Sequence, residues 1–191
     1  VGEIMEDAKG DLWITTLTAG LNVIKRDIRY GNEGSVINYS HNPKDINSIS
    51  NDEARSIAQI DDGSFLISTI SKLDLFKNGV FKTQMTDLEG GSSVFKSSSG
   101  VYYFGLSSGY RTATYTDGKL VIVEDNPLNQ ETVYEIVEDD KGFIWMATTS
   151  GIVRLNPKDK SLIRFDNNDD VVGNPTYLTL SKEGSLVIMG S

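Results

Sequence analysis

Apolar residues in this chain gather in short runs, and five of the runs begin two residues after a glycine. Gly10 precedes Leu12–Thr15, Gly63 precedes Phe65–Ser68, Gly100 precedes Tyr102–Gly105, Gly142 precedes Ile144–Ala147, and Gly184 precedes Leu186–Met189. Runs this short, bounded by Gly, Asp, Asn and Ser, predict strands, and no helix-sized window carries a 3.6-residue period. The fourth copy shows the layout of a whole unit. Strands are predicted over 132–138, 143–148, 152–156 and 161–165, separated by tight turns at 139–142, 150–151 and 157–160. Loops of two to four residues force sequential antiparallel pairing, a four-stranded meander.

The glycines stand 53, 37, 42 and 42 residues apart. A four-stranded unit recurring about every 42 residues is a propeller-blade period. The expected fold is therefore all-β: a β-propeller of four-stranded antiparallel blades, with about four and a half blades in an open partial ring. One partial propeller is expected over 1–191, with blades at about 3–40, 54–84, 92–123 and 132–165 and a half blade at 176–190. Only Val1 and Gly2 precede the first strand, too little to complete the last blade, so an open arc, or neighbours covering its ends in trans, is expected. The second strand of each unit lacks apolar–polar alternation, which predicts burial on both faces between stacked blades. The small residue ending the run (Thr15, Ser68, Gly105, Ala147) suits a crowded position, and Met189 in the fifth copy departs from that rule.

Trp13 and Trp145 occupy the same repeat position. They could be stacking platforms for a sugar, but repeat placement favours core between blades. The acidic pairs Glu6-Asp7, Asp61-Asp62 and Glu138-Asp139-Asp140 fall at the same hairpin and are expected to form turns rather than bind metal. Gly10, Trp13, Gly63, Gly100, Gly142, Trp145 and Gly184 are thus expected to be structural. The net charge of −9 gives no footprint for nucleic acid or an anionic membrane, and no apolar run spans a bilayer, so neither nucleic acid nor direct membrane insertion is expected. The chain has no cysteine and one histidine, His41, which excludes thiol chemistry and His-rich metal centres. It starts at Val1 without a signal-like segment and is expected to be a piece of a longer protein.

The phrase Tyr39–Asn51, with His41, Pro43, Asp45, Asn47, Ser48 and Ser50, resembles the linker of two-component regulator propeller repeats. The Glu-Asp, Gly and Trp pattern of units one and four, continued by Thr16, Gly20, Leu21 and Asn22, resembles the blade of the same family. The resemblance is weak in unit three, where Tyr102–Gly105 replaces the tryptophan motif, and in unit five. It implies the periplasmic sensor of a hybrid two-component histidine kinase of gut Bacteroidetes, detecting oligosaccharides and regulating polysaccharide use. Implied partners are an oligosaccharide ligand, the remainder of the sensor ectodomain and a second copy of the chain.

Three function classes are weighed: the ligand sensor, a protein-interaction scaffold, and a secreted propeller lyase or glycosidase. The scaffold would show a large exposed apolar patch. The enzyme needs convergent carboxylates, histidines or metal ligands, which the sequence does not offer, so no catalytic residue, cofactor or metal is expected. His41 sits in a Pro/Asn-rich linker, where a structural role is expected. Asp166–Asp170 spaces oxygens like a calcium loop but has Val171 and Tyr177 where Gly and Glu belong. The candidate ligand-binding pair is Tyr110 and Arg111. It is expected on a loop between the second and third strands of unit three, where an aromatic ring and a guanidinium together could hold a sugar.

Overall fold

The computed structural model describes residues 1–88, 90–126, 128–166, 169 and 175–190. The chain folds as two compact units, Val1–Val94 and Phe95–Ser191. In the first, β1 (Ile4–Glu6), β2 (Leu12–Thr15), β3 (Leu21–Ile24) and β4 (Ile37–Tyr39) form one sheet in sequence order. β5 (Ala54–Gln59), β6 (Phe65–Thr69), β7 (Leu73–Lys77) and β8 (Val80–Met85) form the next. β9 (Ser93–Lys96), β10 (Tyr102–Leu106), β11 (Gly109–Thr116) and β12 (Lys119–Asn126) form a third, and β13 (Val133–Glu138), β14 (Ile144–Thr148), β15 (Gly151–Leu155) and β16 (Leu162–Phe165) a fourth. β17 (Pro175–Leu180) pairs with β18 (Leu186–Gly190) alone. Consecutive strands within each sheet pair antiparallel, for example Ile144 opposite Leu155 and Trp145 opposite Arg154. This is the predicted all-β propeller architecture of four blades and a half. The long third loop of the first blade holds a short helix, α1 (Arg26–Arg29), which sequence periodicity does not announce. Asp11 anchors its start, accepting from the Arg26 N–H and from Lys25 Nζ, both at 2.8 Å.

The five glycine hairpins close in one way. The residue three before the glycine donates its N–H to the carbonyl of the residue after the glycine, and the glycine N–H returns to that first residue's carbonyl. Asp7, Ile60, Ser97, Asp139 and Ser181 occupy the first position, and all ten bonds measure 2.8–3.0 Å. The glycines carry φ of 81–83°, a region costly for any residue with a Cβ. Side chains reinforce the backbone. Asp7 Oδ1 accepts from the Lys9 and Asp11 N–H groups, and Oδ2 accepts from the Trp13 indole at 3.0 Å. Asp139 repeats this with Lys141, Phe143 and the Trp145 indole at 2.8 Å. Ser97 and Ser181 accept from turn amides with their hydroxyls. At Ile60 the role passes to Asp62, which accepts from the Ser64 N–H and pairs with Lys77 at 2.8 Å. The hydrogen bond from Lys77, then that from Ser64, pulls the Asp62 carboxyl down to about 2.

The cores lie between facing sheets. In the first unit Trp13 stacks on Phe65 at 4.0 Å and meets Phe76 edge-on at 5.4 Å, within a cluster that includes Ile49, Ile57 and Phe81. In the second, Val133, Ile136, Ile144 and Met146 pack with Tyr103 and Tyr110, while Trp145 packs with Phe165, Leu178 and Leu186. β6 and β10 are buried along their whole length and β14 nearly so, consistent with cover on both faces. β2 and β18 differ. β2 alternates, with Trp13 and Thr15 inward, and β18 leaves Val187, Ile188 and Met189 exposed, because within its unit each is covered on one face only. Thr15, Ser68 and Ala147 are fully buried, and a Cβ at Gly105 would lie 2.6 Å from the Val133 carbonyl oxygen. The small residues therefore sit where neighbouring strands approach closely.

The linker 40–50 is tied down as the first unit's own structure. The His41 Nδ1–H donates to the Ile49 carbonyl at 2.7 Å, and the carbonyl's acceptor-only character fixes that tautomer. The Asn47 N–H bonds Asp45 and Phe81 N–H bonds the Asn47 carbonyl. Buried Asp74 accepts from the Ser50 N–H at 2.7 Å and from the Thr83 hydroxyl at 2.8 Å. Of the Asp166–Asp170 run, residues 167, 168 and 170 lie outside the described residues, as does Val171.

Candidate functional site

The weakest repeat of the sequence supplies the site. β10 and β11 join through a turn at Ser107-Ser108, so tight that Leu106 pairs with Gly109. Gly109, at φ 129°, is already in the strand. Tyr110 and Arg111 therefore lie in β11 and not on a loop, a correction to the sequence expectation. Adjacent strand residues point to opposite faces. Tyr110 turns toward β13–β16, 5% exposed, with its ring 6.1 Å from that of Tyr103. Arg111 turns the other way and is held by Asp125, Nε to Oδ1 at 2.5 Å. The fold does not bring the two side chains together on one ligand.

Tyr110 instead lines a cleft of about 530 Å³ between β9–β12 and β13–β16. Tyr103, Val101, Phe143 and Leu155 supply apolar walls, and Glu124, Glu138, Lys141, Lys158 and Lys160 supply charge. Glu124 pairs with Lys160 at 2.7 Å. Glu138 accepts from the Ser98 N–H at 2.5 Å and the Ser98 hydroxyl at 2.7 Å, stapling one hairpin to the neighbouring sheet. Burial, with the charges of Glu124 and the neighbouring Tyr103, pushes the Tyr110 phenol up to about 12. Burial, then Glu138 and Glu124, raises Tyr103. Both phenols are thus protonated donors at neutral pH. The sequence marks Tyr103 as part of an apolar run and Glu138 as part of an acidic turn, but nothing in it joins them to Glu124 at a cleft, because the cleft arises only when two blades are set side by side. A smaller cavity of about 250 Å³ lies between Trp145 and the hairpin at Gly184; there Arg154 covers the Phe143 ring at 4.6 Å.

Among the described residues no group of three or more His, Asp or Glu side chains is gathered as for a metal ion, and no helix is long and apolar enough to cross a membrane. Gly10, Gly63, Gly100, Gly142 and Gly184 all stand in the hairpins, with Trp13 and Trp145 bonded to the aspartates that precede them.

Residues 127–150 match the model of the two component regulator propeller family. No curated protein matches the sequence significantly. Among solved structures, the extracellular domain assigned to a hybrid two component system of B. thetaiotaomicron is 19% identical, with a TM-score of 0.75 over 98% of this chain and 25% of that one. A second B. thetaiotaomicron ectodomain, assigned to a one component system, is 16% identical, with a TM-score of 0.78 over 97% of this chain and 27% of that one. Virginiamycin B lyase from Staphylococcus aureus is 18% identical, with a TM-score of 0.71 over 97% of this chain and 61% of that one. The chain thus spans only about a quarter of the sensor ectodomains it resembles. Its fold is that of a β-propeller segment, and its stretch 127–150 is similar to a two component regulator propeller repeat.

Proposed function

We propose that the chain is part of the periplasmic propeller of a hybrid two-component sensor that detects oligosaccharides and regulates polysaccharide use. The observation that carries this is the family match at 127–150. Fold likeness to two sensor ectodomains over nearly the whole chain supports it. Ligand binding would act by biasing how the ectodomain packs, against the remaining propeller or a second copy, a population shift passed to a kinase. The proposed role is recognition without catalysis. A histidine-to-alanine variant of the virginiamycin B lyase is catalytically inactive, whereas the one histidine here is spent on the Ile49 carbonyl.

The test has two arms. The parent gene should encode one apolar span of about 20 residues and a histidine-kinase core. The intact ectodomain should bind an oligosaccharide from a plant or host glycan panel in isothermal titration. A parent gene with neither feature refutes the sensor role, and an ectodomain blind to the whole panel refutes the ligand class.

A further inference from the structure

The cleft between β9–β12 and β13–β16 holds polar groups without a hydrogen-bond or ion-pair partner among the described residues. Tyr103 and Tyr110 are 4% and 5% exposed, yet neither hydroxyl has a hydrogen-bond partner among the described residues. Neither hydroxyl is among the buried unpartnered atoms, so both open onto the cleft, where an occupant can accept from them. The two carboxylates are already committed, Glu124 to Lys160 and Glu138 to Ser98. Lys141 and Lys158, both exposed on the same lining, form no ion pair among the described residues. What is left over is one-sided: two phenol donors and two ammonium groups, with no carboxylate uncommitted. Such a set asks for an occupant that brings acceptor oxygens and negative charge. The walls ask for a flat apolar body, and about 530 Å³ is ample for a two-ring molecule.

We propose that this cleft is a small-molecule site for a flat ring system bearing one anionic group, a carboxylate or sulfonate, its ring against Tyr103, Tyr110 and Phe143 and its anion held by Lys141 and Lys158. The site goes beyond the sensor role and does not depend on it, since it concerns this chain's own residues and a different ligand chemistry. It also keeps Tyr110 and leaves out Arg111, which faces away.

The probe is 2-naphthoate, with neutral 2-naphthylmethanol as its counterpart, titrated calorimetrically into the intact ectodomain that carries this chain. Naphthoate should bind saturably and at least about tenfold more tightly than the alcohol, as loss of charge-assisted bonds implies. The double variant Lys141→Met/Lys158→Met alters only exposed side chains and should keep the circular dichroism spectrum. It should bring naphthoate down to the level of the alcohol. Tyr110→Phe, which preserves the packing, should weaken naphthoate a few-fold. Aromatic resonances of Tyr103, Tyr110 and Phe143 should shift on titration. No saturable binding, equal binding of the two probes, naphthoate affinity untouched by the lysine changes, or shifts confined to other residues would each overturn the assignment. An ectodomain that binds oligosaccharides normally while failing here rejects the cleft and leaves the sensor role standing.

Discussion

Asp7→Ala tests how the repeated hairpin is held. The substitution removes the acceptor of the Trp13 indole N–H and of the Lys9 and Asp11 backbone amides. Trp13 is 5% exposed, so water cannot replace the lost partner and its indole N–H is left buried. That orphaned donor costs roughly 1–3 kcal/mol, and the two turn amides add about 0.5–1 kcal/mol each, giving roughly 2–5 kcal/mol. Asp139→Ala removes the same three bonds in the fourth blade, but there Asp139 and Trp145 are half-buried and water can reach the indole. Its cost should be about 1–2 kcal/mol. Urea denaturation followed by far-UV circular dichroism measures both as midpoint shifts at unchanged slope. Trp13→Phe, combined with Asp7→Ala in a double-mutant cycle, isolates the indole–carboxylate bond and should show coupling of about 1 kcal/mol or more. Equal losses for Asp7→Ala and Asp139→Ala, or strict additivity of the Asp7 and Trp13 changes, would refute the argument from burial.

Gly105→Ala pushes a methyl group to 2.6 Å from the Val133 carbonyl and should destabilise by about 2 kcal/mol or more; Gly118→Ala, at φ 76° with open space around it, should cost only about 1 kcal/mol in the same urea assay. Asp62, held down to about 2, contributes stability that is complete above its unfolded value near 3.8 and is lost as pH falls toward 2, so Lys77→Met should flatten the acid limb of a melting-temperature profile in that window. Tyr110 should be among the last tyrosines to ionise in an ultraviolet titration, near pH 12, and because unfolded tyrosine ionises near 10, stability should fall as pH rises from 10 to 12, a fall that Tyr110→Phe lessens. His41→Ala removes the bond to Ile49 and should speed amide exchange at Asn42 and Ser48, whose bonds close the same linker, by several-fold, with a global loss of about 1 kcal/mol.

The blades were legible because each depends on local rules. Gly10, Gly63, Gly100, Gly142 and Gly184 mark hairpins whose backbone closes within five residues, and apolar runs mark the strands beside them. The link from Asp7 to Trp13 and from Asp139 to Trp145 was also there to be seen, as an aspartate and a tryptophan six residues apart in both units. From the sequence those aspartates are expected as turn formers only, bonded to the backbone and not to the indole. The placement of Tyr110 and Arg111 failed for a different reason. The Ser-Ser-Gly sequence invites a wide loop, but Leu106 opposite Gly109 leaves two residues to turn, so the strand starts earlier and its pleat separates neighbours in sequence. The cleft was out of reach altogether. Val101, Tyr103, Lys141 and Lys158 come together through the spacing of two whole sheets, which no local pattern encodes.

The hairpin at Gly63 keeps its two backbone bonds with isoleucine where other copies have aspartate or serine. The closing geometry belongs to the peptide groups and to one glycine, and the side chains only add to it. A blade built this way can lose its written signature one letter at a time and still fold as a blade. That accounts for a family profile recognising a single stretch of 24 residues in a chain whose backbone repeats the same hairpin five times. In such a protein the path of the main chain can stay the same while the spelling of the sequence changes.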